Sequence, residues 1–173
     1  MPASLRLLFL SSLFGTAACT AAHVLTFADI AFYPILIFVP PLFIVWPLVL
    51  WQLRHIPRKN IFSEIFGPIP HGLKLGAALL LAYVFINFFL CLRLNEGGEP
   101  VRLTENKLVL KTPEKIIREL TPEAFRHAQA IQVRLLTGHL LVFFALAACA
   151  THICWLKTGP TMAKARIYPS DNG

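Results

Sequence analysis

The chain has 173 residues, of which 56% are hydrophobic and only 14% are charged, and its mean hydropathy is +0.63. Soluble domains carry about 25% charged residues, so this composition excludes an ordinary soluble domain. The net charge of +7 does not indicate nucleic-acid binding, because no segment is a dense basic stripe with interleaved aromatic residues. An anionic bilayer surface is the partner that the positive charge predicts.

Four apolar stretches define the predicted architecture. Each is close to the ~20 residues needed to cross the ~30 Å hydrocarbon core of a bilayer. They predict an all-α integral membrane protein with four transmembrane helices in one membrane domain that occupies residues 1–173. The stretches are residues 5–22, 30–53, 73–92 and 136–156.

The first stretch shares features with a secretory signal peptide, since Arg6 precedes an apolar run that ends in small residues at 16–19. However, Thr16 stands where a lipoprotein cleavage box has a large aliphatic residue, and apolar character resumes almost at once. We therefore predict an uncleaved first helix, with a cleaved signal peptide as the alternative. The connection to the second stretch is short, which predicts an antiparallel pair of helices.

The second stretch carries four prolines, each of which removes a backbone donor and disturbs a continuous helix. In lipid, the carbonyls freed in this way need partners in neighbouring helices or water. We favour a kinked helix; the alternative is a broken helix whose carbonyls around residues 36–37 line a cation or substrate site. The prolines are Pro34, Pro40, Pro41 and Pro47.

The next two segments are simpler. Residues 54–74 form a basic loop, and the apolar side chains of residues 60–66 share one helical face, which predicts a short helix lying in the membrane interface. The third stretch has one strongly polar residue, Asn87, which we expect to hydrogen-bond between helices.

Residues 93–134 form the only sizeable hydrophilic region, with eight of the 16 basic and six of the nine acidic residues. Alternating apolar and polar residues at 100–103 and 107–111 predict a small β-hairpin, and residues 116–120 suit a third strand. Thr121-Pro122-Glu123 has the hydroxyl, proline and acid that start a helix. We expect this amphipathic helix to continue through the fourth stretch to about Lys157, followed by a flexible tail at residues 158–173.

Four cysteines lie in or at the ends of the apolar stretches, where a disulfide framework is not expected. We interpret them as small packing residues. They are Cys19, Cys91, Cys149 and Cys154.

The chain contains no phosphate-binding loop, zinc-finger spacing, nucleophile elbow or acidic pair inside a stretch, which favours a non-enzymatic protein without a cofactor. Besides Asn87, the polar residues that we consider functional candidates are His139 and His152. Their separation of 13 residues is typical of histidines that bind two stacked haems, with His23 available as a further ligand, so haem b is one alternative.

A divalent-metal site is the second cofactor alternative. Four residues are predicted to lie on the same side of the membrane, and imidazole and carboxylate groups suit zinc or iron. No two of these residues are close together in the sequence. The four are His23, Asp29, His127 and His139.

Several local motifs from Gly97 onward belong together: Gly97-Gly98-x-Pro100, the hairpin, residues 117–121, and Arg134-x-x-Thr137-Gly138-His139. With residues 47–53 and 58–60, they resemble a group of small uncharacterised bacterial multi-pass membrane proteins over roughly two-thirds of the chain. The resemblance implies a membrane location and carries over no activity and no catalytic residue.

These observations favour an accessory, assembly or immunity-type protein that acts through residues 93–134. The partners expected are the lipid bilayer and either another membrane protein or a homo-oligomer, without nucleic acid. The alternatives are a small oligomeric transporter or channel, and a haem- or metal-binding membrane protein.

The predicted location is the bacterial inner membrane, with both termini cytoplasmic and residues 93–134 outside. The basic residues near the two sides are equal in number, at eight each. The first helix and the compact loop at 54–74 decide the orientation, because the positive-inside rule gives short loops the greatest weight.

Overall fold

The computed structural model describes residues 3–54, 67, 69–104 and 107–167, except for the side chains of residues 52, 53, 73 and 156–167. These residues contain four α-helices, and each lies in a segment long and apolar enough to cross a membrane. The prediction of four apolar helices is confirmed, whereas the predicted interfacial helix at 60–66 lies outside the described residues. The helices are α1 (Ala3–Leu25), α2 (Val39–Leu53), α3 (His71–Leu94) and α4 (Pro122–Ile167).

α4 is the central helix, and α1, α2 and α3 each contact it. Leu5 of α1 shares a buried cluster with Cys154 towards the end of α4. Cys19, further along α1, shares a second cluster with Val133 near the start of α4. α1 and α4 are therefore antiparallel and pack along most of their length.

Close packing of α1 on α4 depends on Gly15. A Cβ atom at this position would lie 2.7 Å from Cδ1 of the Phe144 ring, which is itself 2% exposed. Small residues allow helix backbones to approach closely in this way. All four cysteines are free thiols, and Cys19, Cys91 and Cys154 are buried in the helix contacts.

The predicted second span is one helical segment that combines two helix types without a gap. A 3₁₀ helix, Tyr33–Phe38, leads directly into α2. Pro34, Pro40 and Pro41 fall in the first turns of these two helices, where proline is tolerated because its fixed φ suits a helix start. Only Pro47 lies inside α2. The Leu36 carbonyl, which the broken-helix alternative assigned to a cation or substrate site, instead accepts a hydrogen bond from the Val39 N–H.

The hydrophilic region forms a three-stranded antiparallel sheet in the order β1-β2-β3. Its strands are β1 (Glu99–Thr104), β2 (Lys107–Lys111) and β3 (Ile116–Glu119), which confirms the predicted hairpin and third strand. Val109 and Leu110 of β2 are completely buried. Since neighbouring strand residues point to opposite faces, the middle strand is covered on both sides. β1 and β2 both contact α4.

The turn after α3 determines where the sheet begins. Glu96 and Gly97 have φ values of 51° and 68°, in the left-handed region that glycine adopts without strain. Asn95, which is 6% exposed, donates its side-chain N–H to the Ala128 carbonyl at 3.0 Å. The end of α3 is therefore tied to α4 immediately before β1.

α4 begins as predicted, with the Thr121 hydroxyl accepting the Ala124 N–H at 3.2 Å. The helix has 46 residues and is about 69 Å long, more than twice the thickness of a hydrocarbon core. It continues to Ile167, past Lys157, where the sequence predicted a flexible tail. The physical reason is the run of good helix formers at residues 162–166, which favours helix despite Pro160.

Candidate functional site

A group of polar side chains, here named the polar cluster, connects three helices near the start of α4, and all of its members except the 39% exposed Tyr83 are buried. His23 lies near the end of α1, and Thr26 belongs to the short 3₁₀ helix that follows. His23 is 5% exposed and Arg134 is 9% exposed, so both lie in the protein interior. The members of the polar cluster are His23, Thr26, Tyr83, Arg134 and Thr137.

The hydrogen bonds of His23 define its protonation. Its Nδ1 lies 2.9 Å from the Thr137 hydroxyl, and its Nε2 lies 2.6 Å from the Tyr83 hydroxyl. The Thr137 hydroxyl donates its one proton to the Val133 carbonyl at 2.8 Å, so it accepts from Nδ1. These bonds place a proton on Nδ1, and in the neutral imidazole Nε2 accepts the proton of the Tyr83 hydroxyl.

Arg134 holds the end of α1 against α4. Its Nε donates to the Thr26 hydroxyl at 3.1 Å, and Nη2 donates to the Thr26 carbonyl at 3.0 Å. The guanidinium carbon also lies 4.1 Å from the centroid of the Phe27 ring. Among the described residues, no carboxylate forms an ion pair with Arg134. The C-terminal end of α1, with its partial negative charge, and the aromatic face offset the buried positive charge.

Gly138 allows α3 and α4 to come together beside the polar cluster. A Cβ at this position would lie 3.2 Å from Nδ2 of Asn87 and 3.6 Å from Cε1 of His23. Asn87 is 5% exposed, and its Oδ1 accepts from the Cys91 thiol at 3.6 Å within the same helix. Asn87 therefore lies at the α3–α4 contact, but its hydrogen bond is within α3 and not between helices as the sequence predicted.

The four candidate metal ligands do not converge. His127 Nδ1 lies 2.6 Å from Asp29 Oδ1, and both side chains are about half exposed. His23 belongs to the polar cluster, and His139 directs Nδ1 at the Leu135 carbonyl at 2.7 Å. In the part of the chain that the structure describes, no three histidine, cysteine or acidic residues form a group able to hold a metal ion.

The candidate haem ligands are also separate. His139 packs edge-on against Phe88 of α3. His152 instead contacts Phe9 of α1 and the Trp155 ring. Both ring nitrogens of His23 already have hydrogen-bond partners. The structure therefore places the three histidines against different neighbours.

A cleft lies between the sheet and the first turns of α4, with a volume of about 520 Å³. Its apolar lining includes Phe125, which is 6% exposed. Arg102 and Arg126 are exposed side chains in the wall of the same cleft, and neither forms an ion pair within the described residues. The residues that define this cleft are Val101, Arg102, Leu108, Pro122, Phe125 and Arg126.

The sequence interpretation missed most of the polar cluster. Arg134 was expected to be the last residue of a hydrophilic loop, and Tyr83 and Thr26 were not singled out. The available signal was Arg134-x-x-Thr137, because residues three apart share a helix face and this face is otherwise apolar. No sequence pattern indicated that Thr26, after α1, and Tyr83, in α3, would hydrogen-bond to this part of α4.

A comparison with protein families, with curated proteins and with solved structures finds no match for this chain. The resemblance to small bacterial membrane proteins therefore stays a prediction. Functional interpretation depends on the polar cluster, the cleft and the four apolar helices.

Proposed function

We propose that this protein is a non-enzymatic membrane protein that recognises a partner protein through its three-stranded sheet. One observation carries the proposal: the sheet is built on the first turns of α4, and the same helix continues into the fourth apolar segment. Because one unbroken helix joins the sheet to the fourth apolar segment, there is no flexible joint between them. The sheet is thus presented at a defined place relative to the membrane, as an accessory, assembly or immunity-type role requires.

The polar cluster supports a platform role for the helical bundle. Hydrogen bonds from His23 and Arg134 join α1 to α3 and α4. Bonds of neutral side chains such as His23 between membrane helices contribute about 0.6 kcal/mol each on average, and bonds from a charged donor such as Arg134 contribute about 1.5–3 kcal/mol. His23 uses both ring nitrogens in these contacts, which favours a structural role for it over metal binding or proton transfer.

A small oligomeric transporter is the alternative from the sequence. It needs polar groups that face a path between helices. The polar side chains of the cluster bond mainly to one another, and the Leu36 carbonyl in the second span has a backbone donor. These contacts favour recognition over transport.

We further propose that the protein lies in the bacterial inner membrane with both termini cytoplasmic and the sheet outside. The antiparallel packing of α1 on α4 supports placing both termini on one side. The positive charge of the first helix and of the loop after α2 supports the cytoplasmic side for that end.

The recognition proposal is tested by site-specific photocrosslinking in growing cells. A photoreactive amino acid replaces Leu103 of β1 or Ile116 of β3, which are 45% and 49% exposed on the sheet. The matched control is Leu79 of α3, 62% exposed on an apolar helix face. We expect one discrete protein adduct from a sheet position that is not seen from Leu79.

The adduct is identified by mass spectrometry, and the purified partner is then tested for binding to the reconstituted chain. Direct binding by this partner supports the proposal. Discrete adducts at neither sheet position, or the same adducts from Leu79, would refute recognition through the sheet.

A further inference from the structure

We propose that the cleft between β1 and the start of α4 binds an acidic, partly apolar peptide segment of the partner protein. This inference rests on the proposed recognition function and names the site and the chemistry of its ligand. It follows from the charge of the cleft, its apolar lining and the position of β1 in the sheet.

The charge of the cleft comes from two arginines. Two other cations of the sheet have acidic partners: Lys107 pairs with Glu119 at 3.2 Å, and Arg118 pairs with Glu96 at 3.1 Å. Arg102 and Arg126 line the cleft without an ion pair among the described residues. Guanidinium groups bind carboxylates through two parallel hydrogen bonds, so acidic side chains are the matching ligand groups.

The lining of the cleft is apolar between the two charges. Val101, Leu108 and the nearly buried Phe125 contribute to it. A volume of about 520 Å³ lies within the range of ligand-binding clefts and accommodates more than one side chain. The best occupant therefore alternates acidic and apolar groups.

β1 provides a backbone template beside this lining. It is an edge strand, with β2 on one side and no strand on the other within the described residues. An edge strand presents unpaired N–H and C=O groups, and extended peptides bind such edges as additional strands. In a strand, neighbouring side chains face opposite ways, so an added alternating strand places its acidic side chains on the face of Arg102 and its apolar side chains on the face of Val101.

The occupant that we infer is a segment of a separate protein. α4 starts at the cleft and runs to the opposite end of the bundle, where α2 also ends, so the described ends of both helices lie far from the cleft. A second copy is disfavoured because each chain carries a net charge of +7. The phosphate of an anionic lipid has the negative charge that the cleft requires, but it has no peptide backbone to add to the edge of the sheet.

The test measures peptide binding to the full chain in nanodiscs of phosphatidylcholine, which has no net charge. The probe is a fluorescein-labelled hexapeptide of alternating glutamate and valine, followed by fluorescence anisotropy. We expect Arg102→Gln and Arg126→Gln each to weaken binding about tenfold, since each removes a charge-assisted contact. Lys115→Gln removes an equal charge from the exposed turn before β3 and is expected to change binding less than about twofold.

Hydrogen exchange provides a second measurement. Slower amide exchange within Glu99–Thr104 when the peptide is bound supports addition at the β1 edge. Equal binding by a lysine–valine peptide or equal weakening by Lys115→Gln would overturn the proposal. A partner that crosslinks at Ile116 while the peptide does not bind refutes the cleft and leaves sheet recognition intact.

Discussion

Replacing Arg134 by methionine is the most direct test of the polar cluster. The change removes two hydrogen bonds from a charged donor to Thr26, each worth about 1.5–3 kcal/mol. It also removes the cost of burying a cation, which is several kcal/mol and offsets much of that gain. The Thr26 hydroxyl loses its donor in an interior position, while the Thr26 carbonyl keeps the Asp29 N–H at 3.2 Å. We expect a net decrease of about 2 kcal/mol in the free energy of unfolding.

The assay is reversible unfolding in mixed detergent micelles, followed by tryptophan fluorescence and circular dichroism. Arg134→Lys keeps the charge but loses the two-pronged contact, so its expected decrease is intermediate, about 1 kcal/mol. Arg102→Met is the control, because this arginine is exposed and its loss is expected to change stability by less than about 0.5 kcal/mol.

A double-mutant cycle isolates the contact itself. Thr26→Val removes the hydroxyl that accepts from Nε, and we expect a coupling energy with Arg134→Met of about 1 kcal/mol. If Arg134→Met unfolds within about 0.5 kcal/mol of the unmodified protein, or if the two changes are additive, Arg134 does not hold α1 against α4.

Three further predictions concern packing, protonation and orientation. Gly15→Ala is expected to lower the free energy of unfolding by about 1 kcal/mol through overpacking. The control, Gly76→Ala, has open space around the new methyl group and is expected to leave the free energy of unfolding unchanged or to raise it. Equal melting temperatures of the two variants in detergent would contradict this prediction. Tyr83→Phe leaves Nε2 of His23 without its donor and is expected to destabilise by about 1 kcal/mol. Nitrogen NMR of the unmodified protein is expected to show the proton of His23 on Nδ1, and a proton found on Nε2 alone would refute the assignment. A fluorescent protein that matures only in the cytoplasm is expected to be bright when fused after Gly173, and a dark full-length fusion would invert the proposed orientation.

Local patterns predicted most of the secondary structure. Hydropathy located the four helices, alternation located the strands, and the start of α4 was read from Thr121-Pro122-Glu123. Each of these signals depends on neighbours within a few residues, which is why the sequence carries them. The predicted end of α4 at about Lys157 was wrong because it, too, was inferred from neighbouring residues alone. Gly159-Pro160 is a local signal for the end of a helix, and α4 continues past it to Ile167.

The candidate site was less predictable from the same patterns. Of the four proposed metal ligands, only His127 and Asp29 meet. Of the residues proposed for haem, His139 and His152 face different helices. Residue type shows which side chains can bind a ligand, but their meeting depends on how each helix is rotated about its axis.

The sequence by itself determined the number of apolar helices, the sheet between the last two, and the unbroken passage from that sheet into α4. Only the tertiary structure decided which polar atoms satisfy one another. Thr137 lies 114 residues from His23, and Arg134 lies 108 residues from Thr26. A buried polar group needs a hydrogen-bond partner, because leaving it unpaired in the interior costs free energy. The rotation of each helix about its axis and the distance between helices decide which partner is within reach, and hydropathy encodes neither.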